Sequence, residues 1–185
     1  MELMTAIHTR HSVARVRPDP IPQEWIERLL AAAVQAPNHH HNRPWHFVVL
    51  SGAARERLGA VMALSQARRV PESSQAALDV ELKRPLRAPL LIAVAVDPSN
   101  DPKIIEIENI CAGAAAIENL LLAAHDLGLG VIWRTGPAAL DPAVKEFLGF
   151  SPNQHLIAFI YLGYPEREQA IYERPSYTDR VTWME

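Results

Sequence analysis

Apolar residues recur along the chain at two spacings, which predict helices in some segments and strands in others. Spacings of three and four residues predict helices over 3–9, 22–36, 53–66, 73–84, 108–127 and 142–148. Short apolar runs bounded by proline, glycine or polar turns predict strands over 45–50, 90–96, 130–134 and 155–162. Because two or three helices separate the first strands, the pattern favours a layered α+β domain.

Residues with strong preferences for helix ends support several of these boundaries. Pro22 suits the first turn of the second helix, where its missing N–H is not needed, and Pro37 stops that helix. Asp141 followed by Pro142 predicts an N-cap and a first-turn proline for the sixth helix, and Gly149 ends it.

The sequence does not decide the environment of three segments. The alanine-rich helix over 108–127 allows another helix to approach closely, either inside the fold or across a dimer axis. The charged segment 65–87 is either a lid over a site or a solvated surface. The final residues are expected to lie across the domain or a partner subunit. They are polar, with scattered aromatic side chains at Tyr164, Tyr172, Tyr177 and Trp183.

Length and composition favour one folded domain spanning 1–185. The chain has 185 residues, 49% apolar and 21% charged, which is enough to build a core at this size. Its 18 basic and 21 acidic residues give a formal charge of -3, so no global positive field exists to hold a nucleic-acid backbone. The longest apolar stretch, 110–133, contains charged residues and three glycines, which argues against a membrane span.

Cysteine usage and the amino-terminal sequence both favour the cytoplasm. The single cysteine, Cys111, cannot form an internal disulfide, and no zinc-binding spacing can be built around it. Residues 1–17 mix acidic and basic groups without the charged, apolar and small-residue order of a signal peptide. We therefore expect a cytoplasmic protein that binds neither nucleic acid nor membrane.

Several common catalytic and binding motifs do not occur in the sequence. It has no glycine-rich loop ending in Gly-Lys-Ser/Thr, no complete dinucleotide fingerprint and no Gly-x-Ser-x-Gly elbow. The histidines at 39, 40, 41 and 46 suggest a metal-binding site. However, consecutive loop residues point in different directions, and no carboxylate lies within the cluster. We predict no metal site, so the cluster is either a polar loop or a contact with an organic cofactor.

Three separated segments carry donors that suit an anionic cofactor with a phosphate, a polyhydroxyl chain and a heteroaromatic ring. Each segment lies where a predicted helix or strand ends. The candidate residues are Arg10, His11 and Ser12 in the first segment, Gln35, Pro37 and His39 in the second, and Trp133, Arg134, Thr135 and Gly136 in the third. No catalytic acid or base stands out among them, so the catalytic residues are unassigned.

Taken in order, these segments resemble the nitroreductase family of flavoproteins, in particular its compact branch. The resemblance covers nearly the whole chain. It rests on Arg10-His11-Ser12-x-x-Arg15, on Ala36-Pro37 followed by Asn42-x-Pro44-Trp45 and Phe47-Val48-Val49-Leu50, on Gly128-Leu-Gly130 running into Trp133-Arg134-Thr135-Gly136, and on Tyr161-Leu162-Gly163-Tyr164-Pro165.

The resemblance implies a three-layer α+β fold, with a small mixed or antiparallel sheet flanked by helices, and an intertwined homodimer with FMN at the subunit interface. It also implies NAD(P)H-dependent two-electron reduction of nitroaromatics, quinones or related acceptors by a ping-pong cycle. It assigns the phosphate and ribityl chain of FMN to Arg10, His11 and Ser12 of one subunit. Gln35, Pro37 and His39 reach the flavin from the other subunit. The segment from Trp133 to Gly136 completes the side contributed by the first.

Two features depart from longer members of that family. Where those members have a basic residue near the flavin pyrimidine, this chain has Ala14, so Arg15 and Arg134 become the candidate cations beside the ring. The chain also lacks their Glu-Gly pair and extra helical lid, which leaves the acceptor undefined. Two other functions stay open: a different flavin reaction on the same fold, such as flavin fragmentation, reductive dehalogenation or dehydrogenation, and a non-catalytic module that binds flavin or another small ligand.

Overall fold

Six α-helices and a four-stranded sheet make up the fold in a computed structural model, which describes residues 1–99, 101–168, 170 and 173–185. The elements are α1 (Leu3–Thr9), α2 (Gln23–Ala33), β1 (Trp45–Ser51), α3 (Ala53–Arg69), α4 (Gln75–Lys83), β2 (Leu90–Val96), α5 (Glu106–Asp126), β3 (Gly130–Arg134), α6 (Pro142–Phe147) and β4 (His155–Gly163). Tyr172, one of the tail aromatics singled out from the sequence, lies outside the described residues.

The sheet has the strand order β1-β2-β4-β3, and all three pairings are antiparallel. Every residue of β2 is buried, because this apolar strand lies between two other strands and is covered on both faces. One face packs against α2 and α5, and the other against α3 and α6. The predicted three-layer α+β architecture is therefore confirmed, with a purely antiparallel sheet.

The predicted boundaries of α1, β2 and β3 match the structure, and the other elements differ by a few residues at their ends. The largest difference is in α2, which ends at Ala33, whereas Pro37 was expected to stop it. The chain turns before the proline, through N–H bonds from Gln35 to the Ala32 carbonyl and from Ala36 to the Ala33 carbonyl. At α5 the helix begins two residues earlier than predicted, because the Glu108 carboxylate accepts the Ile105 N–H at 3.0 Å.

The charged segment 65–87 is packed into the domain. Ser65, Glu81 and Pro85 are buried within it. Helix α4 lies so close to α3 that a Cβ added at Gly59 would stand 2.1 Å from the Leu82 carbonyl oxygen. This part of the chain is therefore a structural layer whose outer side is solvated.

Helix α5 is the one helix among the described residues whose length and apolar composition suit a membrane crossing. Several of its alanines are buried in the core. Ala112, Ala116 and Ala124 belong to the cluster that joins α2 and α5 to the sheet. The Asn119 side chain also donates to the Ala32 carbonyl at 3.3 Å. The alanine surface thus serves close helix packing within one chain.

Asp141 caps α6 as its position in the sequence predicted. Its carboxylate accepts the Ala143 N–H at 2.8 Å and a bond from Arg68, while its side chain is only 7% exposed. Burial by itself raises the pKa of Asp141, but hydrogen bonds from Ser65, Ala143 and Arg68 outweigh it and lower the pKa below the ordinary 3.8. The cap therefore links α3 to α6 through a charged carboxylate.

Replacing Asp141 with alanine is expected to lower the free energy of unfolding by about 2 kcal/mol at pH 7, because a cap is lost and buried donors lose their acceptor. Since the folded-state pKa is depressed, the wild-type advantage is complete above pH 3.8 and disappears as the pH falls through the lower folded value. Urea unfolding at several pH values measures it. The control Asp19→Ala, which removes an exposed ion pair with Arg17, should change stability by less than about 1 kcal/mol. Equal effects of the two substitutions at pH 7 contradict the assignment.

Candidate functional site

The segment that follows α1 is bonded along the edge of the sheet. The Val13 N–H donates to the Val131 carbonyl at 2.9 Å, and the Arg17 N–H donates to the Tyr164 carbonyl at 2.7 Å. Between them, Val16 forms an isolated bridge with Pro165. These bonds hold residues 10–17, the edge segment, beside β3 and the end of β4. The first and third candidate segments are therefore neighbours.

Two glycines make this close approach possible. A Cβ added at Gly130 would stand 2.8 Å from Val13 Cγ1, and one added at Gly163 would stand 2.7 Å from Val16 Cβ. Neither position has a left-handed backbone, so the requirement is for space alone. Any side chain here would push the edge segment away from the sheet.

A cluster of basic groups lies at the amino-terminal end of the edge segment. Arg10 ends α1, and its Nε lies 3.3 Å from a Glu118 carboxylate oxygen on α5. Arg174, from the tail, donates to the Arg10 carbonyl at 2.7 Å. The sequence analysis missed Arg174, because an arginine in an irregular tail has no periodicity that reveals its neighbour. Ser12 is exposed beside this cluster.

Two histidines hold the same turn, His11 from within it and His125 from α5. His11 Nδ1 lies 2.9 Å from the Thr9 carbonyl, and His125 Nε2 lies 2.7 Å from the Thr9 hydroxyl. That hydroxyl already donates to the Thr5 carbonyl, so it accepts a hydrogen bond from His125 Nε2–H. Burial, followed by the charges of His11 and Arg10, lowers the pKa of His125. The interaction therefore anchors the turn with a largely neutral imidazole at pH 7.

A cavity of about 200 Å³ opens at the other end of the edge segment. Arg15 and Arg134, the two candidate cations for a ring, both line it. Arg87, from the turn before β2, is a third arginine that lines the same cavity, and Tyr161 of β4 forms part of the wall. The structure thus unites the two predicted arginines and adds a third that sequence reasoning did not find.

The rest of the third segment lies around the end of β3. Trp133 points to the opposite face from Arg134, as alternation along a strand requires, and its Nε1–H donates to the Ile157 carbonyl at 3.1 Å. Trp133 and Thr135 line an apolar cavity of about 390 Å³. Gly136 follows with a φ of 127°, a conformation that side-chain-bearing residues rarely adopt.

The second candidate segment forms a separate cavity of about 580 Å³, which Gln35 and Pro37 line. His39 lies next to it, with Nδ1 2.7 Å from a Glu108 carboxylate oxygen, and this hydrogen bond lowers the pKa of Glu108. The backbone here is strained. Three residues other than glycine have positive φ angles, namely His40, His41 and Arg43. Such strain persists where the surrounding structure or a ligand holds it.

His39 and Arg10 are anchored to α5 at different points. His39 contacts this helix at Glu108, whereas Arg10 contacts it at Glu118. Ten residues of α-helix separate those anchor points by about 15 Å. Gln35 follows the end of α2, where the Ala32 carbonyl accepts a bond from Asn119, the neighbour of Glu118.

The histidines make ion pairs in different places. His39 pairs with Glu108, and His46 Nε2 lies 2.9 Å from an Asp97 carboxylate oxygen. The sequence analysis found no carboxylate within the cluster, and the structure brings these two from distant segments. Over the described ranges of the chain, no group of three histidine, cysteine or acidic residues is arranged to hold a metal ion.

Comparison with known proteins gives matches over most of the chain. A model of the nitroreductase family matches residues 7–164. YdjA of Escherichia coli strain K12, which is named as an NAD(P)H nitroreductase, is 33% identical over 167 residues, covering 90% of each chain. A 5,6-dimethylbenzimidazole synthase of Rhodospirillum rubrum is 30% identical over 189 residues, covering 95% of this chain and 85% of its own.

A crystal structure of a nitroreductase with bound FMN from Bacteroides fragilis superposes with a TM-score of 0.77. The two chains are 25% identical, and each is covered completely. The three-layer arrangement derived above is therefore the fold of that protein.

The substitution Gly130→Ala is expected to destabilise the edge segment, because the new methyl group collides with Val13. The free energy of unfolding should fall by about 1 to 3 kcal/mol, the usual effect of overpacking. Urea unfolding measures the change. The double variant Gly130→Ala with Val13→Ala should regain part of the loss, since the nearest colliding atom is removed. Undiminished stability in Gly130→Ala would show that the segment does not depend on this contact.

Proposed function

Because the chain belongs to the nitroreductase family, whose model matches residues 7–164, we propose that it is an FMN-dependent NAD(P)H oxidoreductase. Its acceptors are nitroaromatics, quinones or similar small molecules, reduced by two electrons in a ping-pong cycle. Bound FMN supplies the hydride chemistry, and the protein binds it, orients it and sets its electrostatic surroundings. We treat residues 1–185 as one domain that carries this activity.

The observation that carries the proposal is the presence of basic groups at both ends of the edge segment. Arg10 and Arg174 lie at its start, and Arg15 and Arg134 meet at its end. FMN presents a dianionic phosphate at one end and an electron-poor pyrimidine at the other. The chemistry of the two donor sets fits these two ends of one molecule.

The phosphate end is assigned to Arg10, His11, Ser12 and Arg174. Guanidinium groups form the strongest hydrogen bonds to phosphate oxygens, and the exposed Ser12 hydroxyl suits a phosphate or ribityl oxygen. The Glu118 carboxylate holds Arg10 in place, and its negative charge offsets the positive potential of that arginine before the ligand binds. The Thr9 and His125 interaction keeps the turn fixed.

The ring end is assigned to the segment from Trp133 to Gly136 together with Arg15. Arg134 and Arg15 line one cavity at the edge of β3, so their charges act on whatever group enters it. A positive charge beside the pyrimidine favours the ring carrying negative charge after reduction, and so favours two-electron transfer. Gly136 has a backbone conformation that residues with side chains rarely adopt, and its lack of a side chain leaves the backbone accessible next to the ring.

Gln35, Pro37 and His39 are proposed to reach the flavin from a second copy of the chain, which makes the protein a homodimer with FMN at its interface. His39 and Arg10 contact α5 at points about 15 Å apart, and in the proposed dimer the loop that carries His39 approaches the flavin from the other subunit. Exposed apolar side chains on α1 and at the start of α5 also leave surface that a partner can cover, namely Leu3, Met4, Ile7, Ile105 and Ile107.

A second candidate function follows from the synthase relative. The Rhodospirillum rubrum protein is named for forming 5,6-dimethylbenzimidazole, so a reaction that fragments the flavin is the alternative for this chain. Formation of that compound from reduced flavin in air would favour it. We place either reaction in the cytoplasm, because the exposed Cys111 is a free thiol and reducing compartments preserve such groups.

The first experiment is the visible absorption spectrum of the purified protein, followed by mass analysis of the released chromophore and anaerobic addition of NADH or NADPH. The proposal expects a yellow protein that releases FMN and bleaches with a nicotinamide. Subsequent addition of a quinone should restore the colour. A colourless protein that also fails to bind added FMN would overturn the proposal, and bound flavin that no nicotinamide reduces would favour a binding module.

The phosphate assignment predicts a difference between two flavins. Arg174→Gln should weaken FMN binding about tenfold or more, because one charged hydrogen bond to the phosphate is lost, and should leave riboflavin binding unchanged. Titration monitored by flavin fluorescence gives both dissociation constants. Arg180→Gln is the matched control, since Arg180 is on the same tail but is exposed and pairs with Asp179. Equal weakening of FMN and riboflavin would contradict a role at the phosphate.

A further inference from the structure

Tyr161 combines deep burial with an unused hydroxyl. The residue is 4% exposed, lies on β4 and lines the cavity of about 200 Å³. Across residues 1–99, 101–168, 170 and 173–185, no group forms a hydrogen bond with this hydroxyl. Since Tyr161 lines the cavity, its hydroxyl is available there as a hydrogen-bond donor to a ligand atom.

The charges around the hydroxyl define what kind of atom that is. Burial raises the pKa of Tyr161, and the negative charge of Glu81 adds to this shift, while the positive charges of Arg84, Arg87 and Arg134 oppose it. The phenol therefore stays protonated near neutral pH and acts as a donor. Guanidinium groups are also donors and cannot accept. The cavity thus presents only donors and positive charge from these side chains, which suits an acceptor atom that carries or gains negative charge.

The size and walls of the cavity restrict the ligand further. The volume of about 200 Å³ is below the range typical of pockets that enclose a whole cofactor, so one end of a larger molecule enters it. Apolar side chains form the remaining wall and suit the faces of a ring, namely Val13, Ala14, Val16, Ala88 and Ile132. A flat heteroaromatic edge with carbonyl or ring-nitrogen acceptors meets both requirements.

We infer that Tyr161 donates a hydrogen bond to the pyrimidine end of the bound flavin and, with Arg15, Arg87 and Arg134, raises the midpoint potential of that flavin. The inference rests on the proposed function. Tyr161 is a positioning and tuning residue, because it stabilises the negative charge that this end of the ring gains on reduction and takes no part in hydride transfer. Its hydroxyl is unpartnered until the ring enters.

The test is Tyr161→Phe, which removes one oxygen and keeps the ring that fills the core. Without flavin, the variant should unfold close to the wild-type temperature, because the hydroxyl bonds to no described residue. Oxidised FMN and riboflavin should both bind more weakly and by equal factors, since the phosphate end is untouched. Reduced flavin should lose about tenfold more affinity than oxidised flavin, which lowers the midpoint potential by about 30 mV for two electrons.

Tyr164→Phe is the matched control. Its ring lies 6.0 Å from the Trp25 ring and 5.2 Å from the Arg17 guanidinium carbon, and it does not line the cavity. This variant should keep the wild-type potential. Arg87→Gln supplies a second test, because it should lower the potential in the same direction while leaving the FMN-to-riboflavin affinity ratio unchanged.

The outcomes separate this inference from the proposed function. A wild-type protein that binds no flavin overturns both. A wild-type protein that binds FMN, with the same potential and flavin affinity in Tyr161→Phe, overturns the tuning role alone. A Tyr161→Phe variant that is less stable without flavin and unchanged in potential would show that the hydroxyl serves only the fold.

Discussion

The site depends on the attachment of the edge segment, residues 10–17, to β3 and the end of β4. Each backbone hydrogen bond there contributes only about 1 kcal/mol net, so the bonds alone do not define the geometry. Space decides it: Gly130 and Gly163 leave room for Val13 and Val16, and any Cβ would prevent the contact. With the segment fixed in this way, Arg10 and Arg15 stand at its two ends, beside the groups that complete each donor set.

The same arrangement is unfavourable until a ligand binds. Three arginines line one small cavity, the Tyr161 hydroxyl has no partner among the described residues, and the histidine loop holds left-handed residues that are not glycine. A sequence chosen for stability alone would avoid each of these features. An anionic flavin relieves the charge and the unpartnered hydroxyl, and a second copy of the chain would cover the loop. The costs therefore fall at the positions where the proposed function places its ligand and its partner.

The sequence predicted local features well, because those depend on neighbouring residues. The apolar run of β2 and the Asp141 cap followed directly from spacing and end preferences. The sequence identified Arg15 and Arg134 as separate candidates, and the structure shows that both line one cavity. The sequence did not reveal Tyr161 as a site residue, because a tyrosine within an apolar strand has the pattern of a core residue. Arg87 and Arg174 depend on contacts between segments far apart in the chain, which no periodicity encodes.

The central claim is that one flavin lies along the edge segment, with its phosphate at Arg10 and Arg174 and its pyrimidine at Tyr161. A crystal structure of the protein purified with its flavin tests this most directly. The account predicts phosphate density within hydrogen-bond distance of Arg174, the pyrimidine in the cavity lined by Arg15 and Arg134, and a second chain contributing the loop that carries His39. A flavin bound in the reverse direction, with its phosphate beside Arg15 and Arg134, would contradict it.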